Sequence, residues 1–147
     1  MTEAEDKLTA LGLTLPAAGT PRGPHVPFGR VGDLVFISGQ GPRRDGQLLY
    51  AGKVGAERKP EEGYEAAKLC ALNLLAQLKV ACDGDLDRVT QVVRLAGLVH
   101  CVDTFEAHPG VINGASDLLC AVFGDRGRHA RIASGTSSLP SGMTVEV

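Results

Sequence analysis

Arg131 is the residue whose type and setting best suit it to binding a small anion. Its neighbours Ala130, Ile132 and Ala133 are apolar, so the sequence predicts a buried guanidinium in a strand central to a sheet. A buried guanidinium requires an anion, and its planar fork matches a carboxylate through two parallel charge-assisted bonds. That anion is either an Asp or Glu of the protein or the carboxylate of a ligand. Glu146 is the second candidate, alternating with Val145 and Val147 so that it points to the opposite strand face from them. With Pro140-Ser141 as a turn centre, Glu146 falls opposite Gly135, on the strand face that carries Arg131. The step from Arg131 to Gly135 spans about 13 Å at ~3.3 Å per residue, so long side chains there can converge on a small molecule. The alternative for Glu146 is an ordinary solvated acid.

Ser38-Gly39-Gln40-Gly41-Pro42 supplies a hydroxyl, an amide and flexible backbone at a strand end, able to line a pocket or simply to turn the chain. Asn113, near the start of a helix, can bind a ligand or tie down local backbone. No G-x-S-x-G elbow, phosphate-binding loop or dinucleotide fingerprint occurs. Cys70, Cys82, Cys101 and Cys120 form no C-x-x-C pair and sit among apolar residues, as reduced core thiols do. Their spacing to His25, His100, His108 and His129 matches no common zinc pattern, so no zinc site is expected.

The elements that must position these groups follow from periodicity and punctuation. Glu3 to Leu11 reads as a short helix, and the Pro/Gly-rich stretch to Pro27 as an extended arm. Asp33 to Ser38 is a strand, Arg43-Arg44-Asp45-Gly46 a hairpin turn, and Gln47 to Ala51 the returning strand. A helix is predicted from Pro60 to about Cys82, with Ala67, Ala71, Leu74, Leu75, Leu78 and Cys82 as its apolar stripe. Arg88 to Val102 is too β-branched for a comfortable helix and reads as a long strand. A second helix starts near Pro109 and ends at Gly124. His129 to Ser138 and Met143 to Val147 are the last strands. The order β-β-α-β-α-β-β describes an α+β fold with two helices on one face of a mostly antiparallel sheet. The other sheet face is left uncovered, which invites closed association of two or three copies.

The chain has 147 residues, enough for one domain. Hydrophobic residues make up 44% and charged residues 22%, the balance of a globular chain rather than a disordered one. A net charge of −2, no Trp and 4% aromatic residues argue against a general nucleic-acid binder, which needs a basic surface and stacking platforms. Arg43, Arg44, Arg126 and Arg128 are candidates for a local basic patch. The acidic start Met1 to Asp6 is unlike a secretory signal, and Leu69 to Ala81 falls short of the ~18 apolar residues of a membrane span. A cytoplasmic location is therefore expected.

Gly23-Pro24-His25, Val31 to Gln40, Ala130-Arg131 and Leu139-Pro140 together resemble the Rid family, formerly YjgF and also called L-PSP endoribonuclease. Glu62 to Ala67, Gly84 to Val89 and Val111 to Leu119 resemble a bacterial paralogue branch of it. The likeness runs over 23–147, leaving 1–22 as an N-terminal helix and arm. It implies a chorismate-mutase-like fold, a trimeric barrel-like assembly and clefts between adjacent subunits. It also implies a cofactor-independent deaminase that hydrolyses reactive enamine or imine acids to 2-oxo acids and ammonia. Arg131 matches the family arginine that grips the substrate carboxylate, and Glu146 the acid beside the attacking water. Ser38, Gly39 and Asn113 match lining positions. His25 stands where the deaminase type has Tyr, and Ala133 where it often has Cys. The alternatives are a small-carboxylate (2-oxo acid) binding or regulatory module without turnover and, third, an endoribonuclease.

Overall fold

The computed structural model describes residues 2–147. Helix α1 (Glu3–Ala10) opens with a capping box in which the Thr2 side chain accepts from the Glu5 amide and Glu5 reaches back to Thr2. Its buried face, Ala4 and Leu8, joins the core, and Lys79 pairs with Glu5. Two hairpins follow. Strands β1 (Phe28–Val31) and β2 (Leu34–Ile37) pair antiparallel about Gly32, which has φ 57°. β1 lies inside a stretch the sequence left without a strand. Strands β3 (Arg43–Arg44) and β4 (Gln47–Leu48) flank Asp45 and Gly46, both at positive φ, as the Asp-Gly turn predicts.

Helix α2 (Pro60–Ala81) begins with Pro at its first position and Glu61 and Glu62 against the N-terminal dipole. It is buried around most of its circumference, including two polar residues that anchor loops. Asn73 Nδ2 donates to the Arg43 carbonyl at 2.8 Å, and Gln77 Nε2 to the Gly19 carbonyl at 2.7 Å, which docks the Pro/Gly-rich arm. After a short turn come β5 (Arg94–His100), helix α3 (His108–Phe123) ending at Gly124, β6 (Ala130–Thr136) and β7 (Val145–Glu146). Helices α2 and α3 press together so closely that a Cβ at Gly114 would stand 2.0 Å from the Tyr64 carbonyl oxygen.

β5 is the central strand, with the order β6-β5-β7. β6 runs parallel to β5 after the α3 crossover, and β7 runs antiparallel on the other side. Beyond β7, Gln40 and Val147 exchange backbone hydrogen bonds of 2.8 and 3.0 Å, and the Thr144 amide donates to the Tyr50 carbonyl at 3.1 Å. The β2 and β4 ends thereby extend the sheet. Leu95, Val99 and Val145 face the helices and are buried, whereas Leu98 and Ile132 lie exposed on the open face.

The α+β class, the mostly antiparallel pairing and both long helices agree with the sequence, and three details correct it. β5 and β6 form the one parallel pair among the described strands. The strand expected over Arg88 to Val102 shrinks to β5, since Leu86–Arg88 is a 3-10 turn and the Val92 amide is drawn to the Arg126 carbonyl at 2.7 Å. β6 is an edge strand, not a central one. Finally, Glu146 pairs with Leu98 of β5 and not with Gly135 of β6, because the crossover places β5 between the two strands that are adjacent in sequence.

Candidate active site

Register decides where the two charged candidates point. Arg131 pairs with Leu95, whose side chain faces the helices, and side chains in register across a sheet share a face. Arg131 therefore rises on the helix side, at the sheet edge, and is exposed rather than buried. Its Nη1 donates to Asn113 Oδ1 at 2.7 Å and to Ser116 Oγ at 3.1 Å, both on α3. Of the two anions expected beside it, the protein Asp or Glu is not there among the described residues: neither acceptor carries a charge, and no carboxylate pairs with Arg131. The Nε and Nη2 atoms, the edge that grips a carboxylate with two parallel bonds, have no hydrogen-bond partner among the described residues.

Ser116 is held in turn. Its Oγ lies 2.9 Å from His129 Nε2, and His129 Nδ1 lies 2.6 Å from the Gly127 carbonyl. A carbonyl only accepts, so Nδ1 carries the proton; in the neutral ring Nε2 then accepts from the Ser116 hydroxyl. The hydroxyl oxygen is left to accept from Arg131. Asn113, Ser116, Cys120, Arg128, His129 and Arg131 line one open pocket of about 230 Å³. Sequence reading found Arg131 and Asn113, missed Ser116, and considered His129 only as a zinc ligand and Arg128 only in a basic patch. The signals were present: Ser116 follows Asn113 by three on one helix face, and His129 precedes Arg131 by two on one strand face.

Glu146 occupies a different place. Paired with exposed Leu98, it points to the open face of the sheet, opposite to Arg131. The expectation that the two share one face is therefore corrected within a single chain. Glu146 is half-buried, and burial pushes its carboxyl above the ordinary value. No hydrogen bond or ion pair holds its carboxylate among the described residues. Gly39 makes room for it, since a Cβ there would stand 2.8 Å from Glu146 Oε2. Ser38 is next to Gly39 but spends its hydroxyl on the Val26 carbonyl at 2.6 Å, fastening the arm to β2. His25 is exposed on that arm, near neither charged group by any hydrogen bond. Ala133 pairs with Gly97 and packs against the core. The candidates thus fall into two separate groups, Arg131 with Asn113 and Glu146 with Gly39.

Residues 5–145 match the model of a family described as "YjgF/chorismate_mutase-like, putative endoribonuclease". The chain belongs to this YjgF family. Protein TCP17 of Trypanosoma cruzi is 43% identical over 141 residues, 95% of this chain and 88% of that protein. The crystal structure of Atu1372 from Agrobacterium tumefaciens, of unknown function, is 43% identical with a TM-score of 0.93, covering 98% of this chain and 88% of that one. A Shewanella oneidensis structure with the same endoribonuclease designation is 40% identical with a TM-score of 0.94, covering 99% and 95%. Agreement at this level places the YjgF fold, chorismate-mutase-like, over essentially the whole chain. In this YjgF chain no helix is long and apolar enough to cross a membrane among the described residues.

Proposed function

We propose that this YjgF-family chain is a cofactor-independent deaminase that hydrolyses small 2-imino acids, or their enamine tautomers, to 2-oxo acids and ammonia. The observation that carries this reading is the Arg131 guanidinium, oriented by two neutral oxygens through Nη1 with its Nε/Nη2 edge open to a carboxylate. An imine carbon is already electrophilic, so the site has to orient it and place one water. Glu146 accepts a proton from that water as the oxygen bonds to the carbon of the protonated imine, giving a neutral carbinolamine. Glu146 returns the proton to nitrogen, the C–N bond breaks, and as the carbonyl forms the hydroxyl proton passes to the Glu146 carboxylate and from there to the departing ammonia. A carboxyl raised by burial suits this exchange, because its proton affinity lies closer to neutrality than that of a solvated acid.

Because the Arg131 and Glu146 groups lie on opposite faces of one sheet, the reading requires Arg131 of one copy to meet Glu146 of another. The open face supports such an assembly, with Leu98 and Ile132 exposed at 38% and 52%. Burying this face around a threefold axis gives a homotrimer with three composite sites. Co-expression of Arg131→Ala with Glu146→Gln chains tests this directly. Random trimers then hold about one intact site in four, so about a quarter of wild-type imine hydrolysis should return. A mixture as inactive as either variant alone would exclude composite sites. A wild-type protein that binds 2-oxo acids without hydrolysing any imine would leave a carboxylate-binding module instead.

A further inference from the structure

The pocket around Arg131 holds more positive charge than a single carboxylate needs. Arg128 lines the same opening of about 230 Å³, and no Asp or Glu lines it. This occurs in a chain where acids outnumber bases, with a net charge of −2. Arg128 is exposed, and its guanidinium has neither a hydrogen bond nor an ion pair among the described residues. Two guanidiniums at one small opening repel each other, and a ligand with two negative groups turns that repulsion into attraction at both ends. His129 cannot serve as the second donor, because Nδ1 is engaged by Gly127 and Nε2 by Ser116. Arg128 has extended backbone, φ −75° and ψ 123°. Three residues of such chain separate its Cα from that of Arg131 by about 10 Å at ~3.3 Å each, and the odd step starts the two side chains on opposite faces of the extended chain. β6 is an edge strand, and both residues line the one opening beside it, a spacing that suits anionic groups joined by a short carbon chain.

We propose that the pocket selects a ligand with two carboxylates, the first on Arg131 and the distal one on Arg128. Resting on the deaminase reading, the substrate class is a four- or five-carbon 2-imino dicarboxylic acid. Arg128 is then the specificity-determining residue. Isothermal titration of the intact protein with stable 2-oxo acids tests the pocket independently of turnover. 2-Oxoglutarate or oxaloacetate should bind at least tenfold more tightly than pyruvate, and Arg128→Gln should bring that ratio close to one. Equal affinities in the wild type, a preference that survives Arg128→Gln, or inorganic phosphate binding as well as the dicarboxylate would each overturn the proposal. The dicarboxylate preference without hydrolysis of any imine would uphold the pocket assignment and remove the deaminase reading. Hydrolysis of imines with no such preference would do the reverse.

Discussion

Gly39→Ala should disable the proposed base while leaving the fold standing. The added Cβ would lie 2.8 Å from Glu146 Oε2, 3.1 Å from Cδ and 3.3 Å from Cγ, all inside the 3.4 Å at which ordinary contact begins. These atoms are the far end of one flexible side chain, so the carboxylate moves by at least about 0.6 Å and the backbone does not. Gly39 has no positive φ, so alanine fits its conformation and gains about 0.4–1 kcal/mol by restricting the unfolded chain. That gain offsets the local crowding, and the thermal midpoint should stay within a few degrees. Catalysis is less tolerant, since misplacing a reacting group by about 1 Å can cost ~10²-fold. We expect kcat for imine hydrolysis to fall about ten- to hundredfold with KM little changed. The assay is steady-state kinetics on Gly39→Ala, Glu146→Gln and the double variant, with calorimetry on each. If alanine acts through Glu146, the double variant is no slower than Glu146→Gln alone. Full kcat in Gly39→Ala, or a double variant slowed by the product of the single effects, would refute the reasoning.

Burial holds the Glu146 carboxyl above 4.5, so activity that needs it ionised should decline on the acid side with a midpoint above that value. A pH profile of Glu146→Gln should lack this limb. The same shift acts on stability with the opposite sense from a paired acid. The folded state binds the extra proton, so the contribution of Glu146 is fully present below about 4.5 and is lost as pH rises through the folded-state value. Unfolding midpoints across that window should be flatter in Glu146→Gln than in wild type. Ser116→Ala removes one of the two anchors of Arg131 Nη1, and a hydrogen bond at this exposed site is worth about 1 kcal/mol. KM for the imine should rise about fivefold while kcat changes little, whereas an unchanged KM would show that Ser116 does not orient Arg131.

The helices were legible because their signals are local. Pro60 and Glu61-Glu62 start α2, Pro109 and Gly124 bracket α3, and Asp45-Gly46 makes its hairpin. Strand partnership was not legible, because it is decided by distant chain. Leu139 to Gly142 looks like the tip of a β6–β7 hairpin, yet β7 finds β5 and leaves β6 at the edge. One wrong neighbour moved Glu146 to the wrong face, since side-chain direction in a sheet follows register. Arg131 and Asn113 were recognisable by type, and they do meet at 2.7 Å. The flanking Ala130 and Ile132 suggested burial, but both are exposed in the single chain. The pairing of His129 with Ser116 escaped notice because each looks ordinary until the 2.9 Å contact joins helix to strand.

The most direct test of the account is the decay of 2-iminopropanoate, generated in situ by an amino-acid oxidase and trapped with semicarbazide, with wild-type protein and with Arg131→Ala. The account predicts that wild type diverts the imine to pyruvate and ammonia before it can be trapped, and that Arg131→Ala does not. Trapping at the buffer rate with wild type, or equal diversion by both proteins, would contradict it.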